Sequence, residues 1–187
     1  MNLLVVLDID GGQGISVANA FLHLPNWRVR GLTRSPSSHS SHAWWALGVE
    51  IVYFDVTKNA SLEECFADAT AIFAVTDYNI FLNDPGVQRA DEITGEKLEL
   101  VAAKRERDIG SAIVDAATRV GRLSQFVMSM VSDMASKPPG MSSEYQIAVK
   151  QIVQLHLEDI GSLLAKRRYQ EVCFRMEDYR GLLVQVS

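Results

Sequence analysis

The stretch that most constrains this chain stands at its start. An apolar run from Leu3 to Leu7 breaks into Asp8-Ile9-Asp10-Gly11-Gly12-Gln13-Gly14, and the next apolar run ends at Arg34, twenty residues after Gly14. A strand that feeds a glycine turn and then a helix aims backbone N–H groups and the positive end of the helix dipole at a diphosphate. The helix is visible in the pattern: Val17, Ala18, Ala20, Phe21 and Leu24 recur at helical spacing before Pro25. Asp10, Gly11, Gly12, Gln13, Gly14 and Ile15 are therefore the candidate cradle. The bland alternative is an ordinary strand-to-helix connection. At the tip of the second strand an acid would bind the 2′-hydroxyl of NAD, whereas an arginine pairs with the 2′-phosphate of NADP, so Arg34 points to NADP(H).

Asp8 cuts against this reading. The usual fingerprint has its first glycine three residues before the second, and Asp8 holds that place. A carboxylate ~4 Å from one unit of phosphate charge is repelled by about 4 kcal/mol at an effective dielectric of ~20, an upper-end figure because solvent screens it. Asp tolerates a left-handed backbone better than most residues, so the turn itself can survive.

Further along, strand-like and helix-like stretches alternate: Leu3–Ile9, a helix to Leu24, Trp27–Thr33, a helix around His42–Leu47, Glu50–Val56, Ser61–Ala69, Ala71–Thr76, a helical region to Gly121, and Gln125–Val131. This predicts an α/β fold, a Rossmann-like doubly wound parallel sheet with helices on both faces. Ligands in such folds bind at the carboxyl ends of the strands, where the turn, Arg34, Asp55, Thr76 to Tyr78 and Ser129 all fall. Ser61 with Glu64 reads as a capping box. Asn83-Asp84-Pro85-Gly86 reads as a turn, and Asp91–Ala117 as a long helix-prone connection open to a flap role. The serine-rich loop Ser35–Ser41 is either solvated linker or, through hydroxyls such as those of Ser35 and Ser38, a partner of Arg34 on a 2′-phosphate. A second loop at 136–140 precedes a helix from Ser143 to about Ile160.

The bulk numbers exclude more than they assign. A chain of 187 residues with 48% hydrophobic and 22% charged residues is ordinary for one globular domain. A net charge of -5 argues against nucleic acid as a direct ligand, and the basic stretches Lys104–Asp108 and Lys166–Arg168 read as solvated surface. Cys65 and Cys173 lie far apart, without metal-ligand spacing, and read as free thiols in a reducing compartment, the cytoplasm with the nucleus left open. The helical pattern points Cys65 inward. No apolar run is long enough to span a membrane, and the four histidines show no metal spacing. His39 and His42 with Trp44 and Trp45 are simplest as a helix that packs one Trp inward.

With these residues placed, the chain resembles the NmrA-like family of atypical short-chain dehydrogenase/reductase relatives. Asp10-Gly11-Gly12-Gln13-Gly14-Ile15-Ser16-Val17 is similar to the second half of that family's glycine-rich turn, and Val29–Pro36 to its second strand with the NADP-selecting arginine. The resemblance implies that Asp55 and Val56 line the adenine and that Thr76-Asp77-Tyr78 passes under the nicotinamide ribose. It also implies a cofactor-contacting lysine at Lys150, heading a helix that ends at Gly161. The resemblance covers residues 3 to 161, so residues 1–161 are expected to form the NADP-binding domain and 162–187 a divergent tail, with the substrate lobe largely missing. Tyr169–Met176 alternates as a further strand would.

No catalytic residue is assigned from this reading. Reductases of the wider superfamily pair Tyr-x-x-x-Lys on one helix face, but Tyr145 and Lys150 are five apart, which turns the lysine roughly 140° away. Two functions remain: an NADP(H)-binding regulator that senses cofactor state and passes it to a protein partner, and an NADPH-dependent oxidoreductase of specialised (secondary) metabolism. A degenerate domain that only contacts another chain is the structural alternative.

Overall fold

The computed structural model describes residues 1–56, 61–130 and 168–173, the last segment as backbone. Its elements are β1 Asn2–Leu7, α1 Gly12–Leu22, β2 Trp27–Thr33, α2 His39–Ala46, β3 Glu50–Tyr53, α3 Leu62–Phe66, β4 Ala71–Ala74, α4 Tyr78–Leu82, α5 Pro85–Thr94, α6 Leu98–Thr118, β5 Gln125–Met130 and β6 Arg168–Cys173. The strands form one sheet in the order β3-β2-β1-β4-β5-β6, and every pairing is parallel. The sixth strand comes from the segment in which alternation suggested one.

β1 lies centrally and is buried on both faces, which its continuous apolar run requires. Leu3, Val5 and Leu7 pack with Phe66 of α3 and with Ile113, Val114 and Ala117 of α6. Leu4 and Val6 point the other way, against Val17, Ala18 and Phe21 of α1 and Trp44 of α2. The strand-period alternation of 2 thus divides one apolar run between two cores. Trp44 is buried and Trp45 is 72% exposed, the split expected of a helix packing one Trp inward. Cys65 is buried with a free thiol, also as expected.

Three expectations are corrected. β1 ends at Leu7 and not at Ile9, because Asp8 adopts φ +54°, which no strand accommodates. Asn83–Gly86 is no free turn: Pro85 opens α5 and Asp84 Oδ1 accepts hydrogen bonds from the N–H groups of Gly86 (2.9 Å) and Val87 (3.0 Å). That is a helix start, with Asp as cap and Pro in the first turn. The connection read as a possible flap is α5 and α6, and α6 is part of the core through Ala102, Ala103, Ile113 and Val114. Among the described residues no helix is long and apolar enough to cross a membrane.

Candidate functional site

Sheet order reverses at β1: the chain winds from β1 to β2 and β3 on one side, then crosses back to β4 on the other. Such a crossover leaves a crevice beyond the carboxyl ends of the strands. A small cleft, partly open to solvent, lies there, lined by Leu7, Asp8, Leu32, Thr33, Arg34, Phe54, Val56, Val75, Thr76, Asp77 and Ile80. Apolar side chains make most of its wall. Asp8, Arg34 and Asp77 bring the charge.

The β1–α1 turn has the build of an anion cradle. α1 opens at Gly11 (φ −78°, ψ 157°) with no side chain capping it, so its first amides face outward from the helix end. Gly14 is buried, and a Cβ there would lie 2.1 Å from the carbonyl oxygen of Asp8 and 3.0 Å from Ile9 Cα. The helix start and the turn that leaves β1 approach too closely for any other residue. Gly12 is different, with open space for 4 Å around the place a Cβ would take. A Cβ at Gly11 would meet Asp8 Oδ2 at 2.1 Å, so the Asp8 carboxylate lies over the open face of that glycine. Ile15 is exposed, at 38%, and Gln13 is half-buried in the first turn.

Asp10 ties this turn to the neighbouring strand and helix. Its Oδ2 accepts from Thr33 Oγ1 (2.7 Å) and its Oδ1 from Ser40 Oγ (2.5 Å). The side chain therefore braces the cradle. Beside it Arg34 is exposed on the cleft and takes part in no hydrogen bond or ion pair among the described residues. The serine loop is built, not loose: Ser38 Oγ caps α2 by accepting from Ser41 N (3.1 Å) and donates to Ser41 Oγ (3.0 Å). Ser41 in turn donates to Ser35 O (2.8 Å). The hydroxyl hydrogen of Ser38 is thus used inside the loop, while Ser35 stays exposed beside Arg34.

At the ends of β3 and β4 the structure separates residues that the resemblance grouped. Val56 and its neighbour Phe54 line the cleft, whereas Asp55 is buried with Tyr53 Oη 3.5 Å from its Oδ2 and is not part of the lining. Thr76 and Asp77 line the cleft. Tyr78 does not: it is buried among Phe81, Val87, Ala102 and Ala103, and its hydroxyl donates to Glu99 O at 2.9 Å. An aromatic ring at the start of α4 is worth more in the α4–α6 packing than at the cleft wall, where Ile80 stands in its place. Asp77 caps α4, its Oδ1 accepting from Asn79 N at 2.9 Å. Lys150, Tyr145 and the helix expected from Ser143 lie outside the described residues.

The residue missed from sequence is Glu106. Read as part of a solvated mixed-charge run, it is 1% exposed, and Thr76 Oγ1 donates to its Oε1 at 2.8 Å behind the cleft wall. Helical spacing held the signal, because Ala102, Ala103, Glu106, Gly110 and Ile113 share the buried stripe of α6. Ser129 is buried at the end of β5. Among the described residues no group of three or more His, Cys, Asp or Glu side chains is placed to hold a metal.

Electrostatically the turn is mixed. Asp8 is exposed on the cleft, and its partial desolvation, with the nearby Asp77 and Asp10, pushes its carboxyl above the usual carboxylate range, desolvation contributing most and Arg34 opposing. For an adenine dinucleotide the fit is good at three points and poor at one. The apolar wall suits a base, the uncapped helix start suits a diphosphate, and Arg34 suits a further phosphate. Asp8 suits none of them.

Residues 2–165 match the NmrA-like family. The chain is 30% identical over 156 residues to the NmrA-like family domain-containing oxidoreductase notA of Aspergillus sp. (strain MF297-2), covering 83% of this chain and 42% of that protein. It is 30% identical over 129 residues to cpsB of Aspergillus campestris, likewise described as an NmrA-like family domain-containing oxidoreductase, covering 68% of this chain and 33% of that protein. The chain therefore spans less than half the length of these curated relatives. Among solved structures it is similar to NmrA, a negative transcriptional regulator, in complex with NADP (TM-score 0.64, 18% identity, 92% of this chain and 44% of that one). The NAD complex of NmrA gives a TM-score of 0.65 at the same identity and coverage. These structures establish the Rossmann-like architecture.

Proposed function

The chain belongs to the NmrA-like family, and from that premise we propose that residues 1–161 form an NADP(H)-binding domain that reports cofactor state to a protein partner. The observation that carries this is a coincidence at the crossover. An arginine with no ion-pair partner among the described residues lines one apolar cleft together with Asp8, and the uncapped start of α1, with Gly14 packed too tightly for any side chain, lies directly against Asp8. In this reading the amides opening α1, at Gly12 to Gly14, hold the diphosphate and Ile15 flanks it, while Gly11, whose N–H closes the turn on Asp8 O at 2.9 Å, gives the ligand a face without a side chain. Asp10 holds the turn in shape. Arg34, with Ser35 beside it, receives the 2′-phosphate, and Ser38 holds the adjoining loop in shape through Ser41. Val56 and Phe54 flank the adenine with Asp55 behind them. Thr76 and Asp77 face the nicotinamide ribose, and the backbone at Tyr78 closes that end. The family resemblance adds Lys150. When bound, the coenzyme supplies hydride chemistry to whatever substrate the whole protein presents.

A second reading, an NADPH-dependent oxidoreductase of specialised metabolism, is favoured by the descriptions of the relatives from Aspergillus. One preparation separates the two. Calorimetric titration with NADPH and NADH tests the site, and loss of NADPH absorbance over a panel of carbonyl substrates tests for turnover. Binding without turnover supports the regulator, and turnover the oxidoreductase. Arg34→Ala is expected to cost about tenfold or more in NADPH affinity, the worth of a charge-assisted hydrogen bond, with little change for NADH. An unchanged preference refutes the role given to Arg34. No heat from either coenzyme at millimolar dose refutes the site.

A further inference from the structure

The dinucleotide reading, on which this inference rests, leaves a carboxylate standing where the ligand must come in. In strand–glycine–helix sites the second glycine is small so that a diphosphate can approach the backbone. Gly11 holds that place, and Asp8 Oδ2 lies 2.1 Å and Asp8 Cγ 2.9 Å from where its Cβ would be. Asp8 leaves β1 in a left-handed conformation, φ +54°, and its side chain folds back over the turn. The charged groups that act on it among the described residues are Asp77 from the β4–α4 junction, Asp10 from the turn itself and Arg34 from the end of β2. The positive end of α1 faces the same place.

We propose that Asp8 is a resident anion on the α1 cradle and an affinity-determining residue, so that each dinucleotide bound takes up one proton at its carboxyl group. Ionised, the group repels the incoming diphosphate. Protonated, it donates a hydrogen bond to a phosphate oxygen. Partial desolvation and Asp77 already raise its pKa, and a diphosphate adds negative charge that acts in the same direction. The site then answers to acidity as well as to nucleotide, with affinity rising as pH falls.

The test is calorimetric titration of NADP⁺ into the full chain and its Asp8→Asn and Asp8→Gly variants, from about pH 8 to about pH 5.5 in two buffers of different ionisation heat. Asn and Gly both accept a left-handed backbone, so neither variant threatens the turn. The 2′-phosphate of the ligand titrates near pH ~6, but equally for all three proteins, so the ratio of affinities isolates residue 8. Both variants are expected to bind more tightly than the parent near pH 8. That advantage shrinks by up to about tenfold per pH unit toward acid, and the parent alone takes up the extra proton. A pH-independent ratio, or equal proton uptake in parent and variants, overturns the proposal while leaving the dinucleotide site standing. Absence of binding by all three proteins at every pH overturns both.

Discussion

Gly14→Ala and Gly12→Ala make the same chemical change two residues apart in α1, and the structure gives them opposite signs. At Gly14 the new methyl would sit 2.1 Å from Asp8 O, 2.9 Å from Asp8 C and 3.0 Å from Ile9 Cα. All three atoms are backbone, so no rotamer relieves the overlap. Bringing the closest contact to van der Waals distance requires the helix and the Asp8–Ile9 turn to part by about 1 Å or more. Forcing atoms into packed sites costs about 1–3 kcal/mol even where side chains can yield. Alanine returns about 1 kcal/mol of helix propensity, so Gly14→Ala should lose up to about 2 kcal/mol net. At Gly12 nothing lies within 4 Å. The propensity gain is then unopposed, and Gly12→Ala should gain up to about 1 kcal/mol. Urea denaturation at constant m-value reads the difference as a shift in midpoint, and because the propensity gain is common to both, the two variants should lie about 1–3 kcal/mol apart. Equal stabilities would refute the close approach of α1 to the Asp8–Ile9 turn, and with it the cradle.

Two more outcomes follow from buried and ionised groups. Thr76→Val removes the donor to Glu106 Oε1 in a buried site and should cost about 1–3 kcal/mol in urea denaturation, with Thr76→Ser near the parent; a Val variant as stable as the Ser variant would show that the bond contributes nothing. Asp8 has a carboxyl pKa raised in the folded state, so its ionised form costs stability at neutral pH and the cost lifts as pH falls through the carboxylate range. Asp8→Asn should therefore raise Tm near pH ~7 and lose that advantage toward pH ~4, whereas an advantage constant with pH would exclude ionisation as its source.

Much of this architecture was legible because strand and helix periods leave strong marks on buried elements. The run Leu3–Leu7 reads as a two-faced central strand, and it divides its side chains between two cores. β2 appears with the bounds its pattern predicts, Trp27–Thr33. What escaped were features set by partners distant in sequence. Nothing near Glu106 announces that Thr76, thirty residues earlier, will give it a hydrogen bond. A charge run looks solvated until the helix face is counted against the core it packs on. Tyr78 followed the same logic, because packing with Val87, Ala102 and Ala103 decided its direction. The α5 start was readable from Asp84-Pro85, which as a helix cap and as a turn carry the same residues.

The glycine fingerprint also divides into parts that sequence alone treats as equal. The place held by Asp8 demands a left-handed backbone, and φ +54° there shows that demand being met by a residue other than glycine. Gly14 demands the absence of a side chain, because backbone stands where its Cβ would be. A conformational requirement can be satisfied by Asp at modest strain; a steric one of this kind admits no substitute. The fold therefore accommodates Asp in place of the first glycine, whereas a side chain in place of the third costs stability directly. Gly11 falls between them, since only the Asp8 side chain crowds it and that chain can move. Substitution at the first glycine thus leaves the architecture intact and changes what the turn presents to a ligand, which makes residue 8 the place where affinity can be altered without altering the sheet.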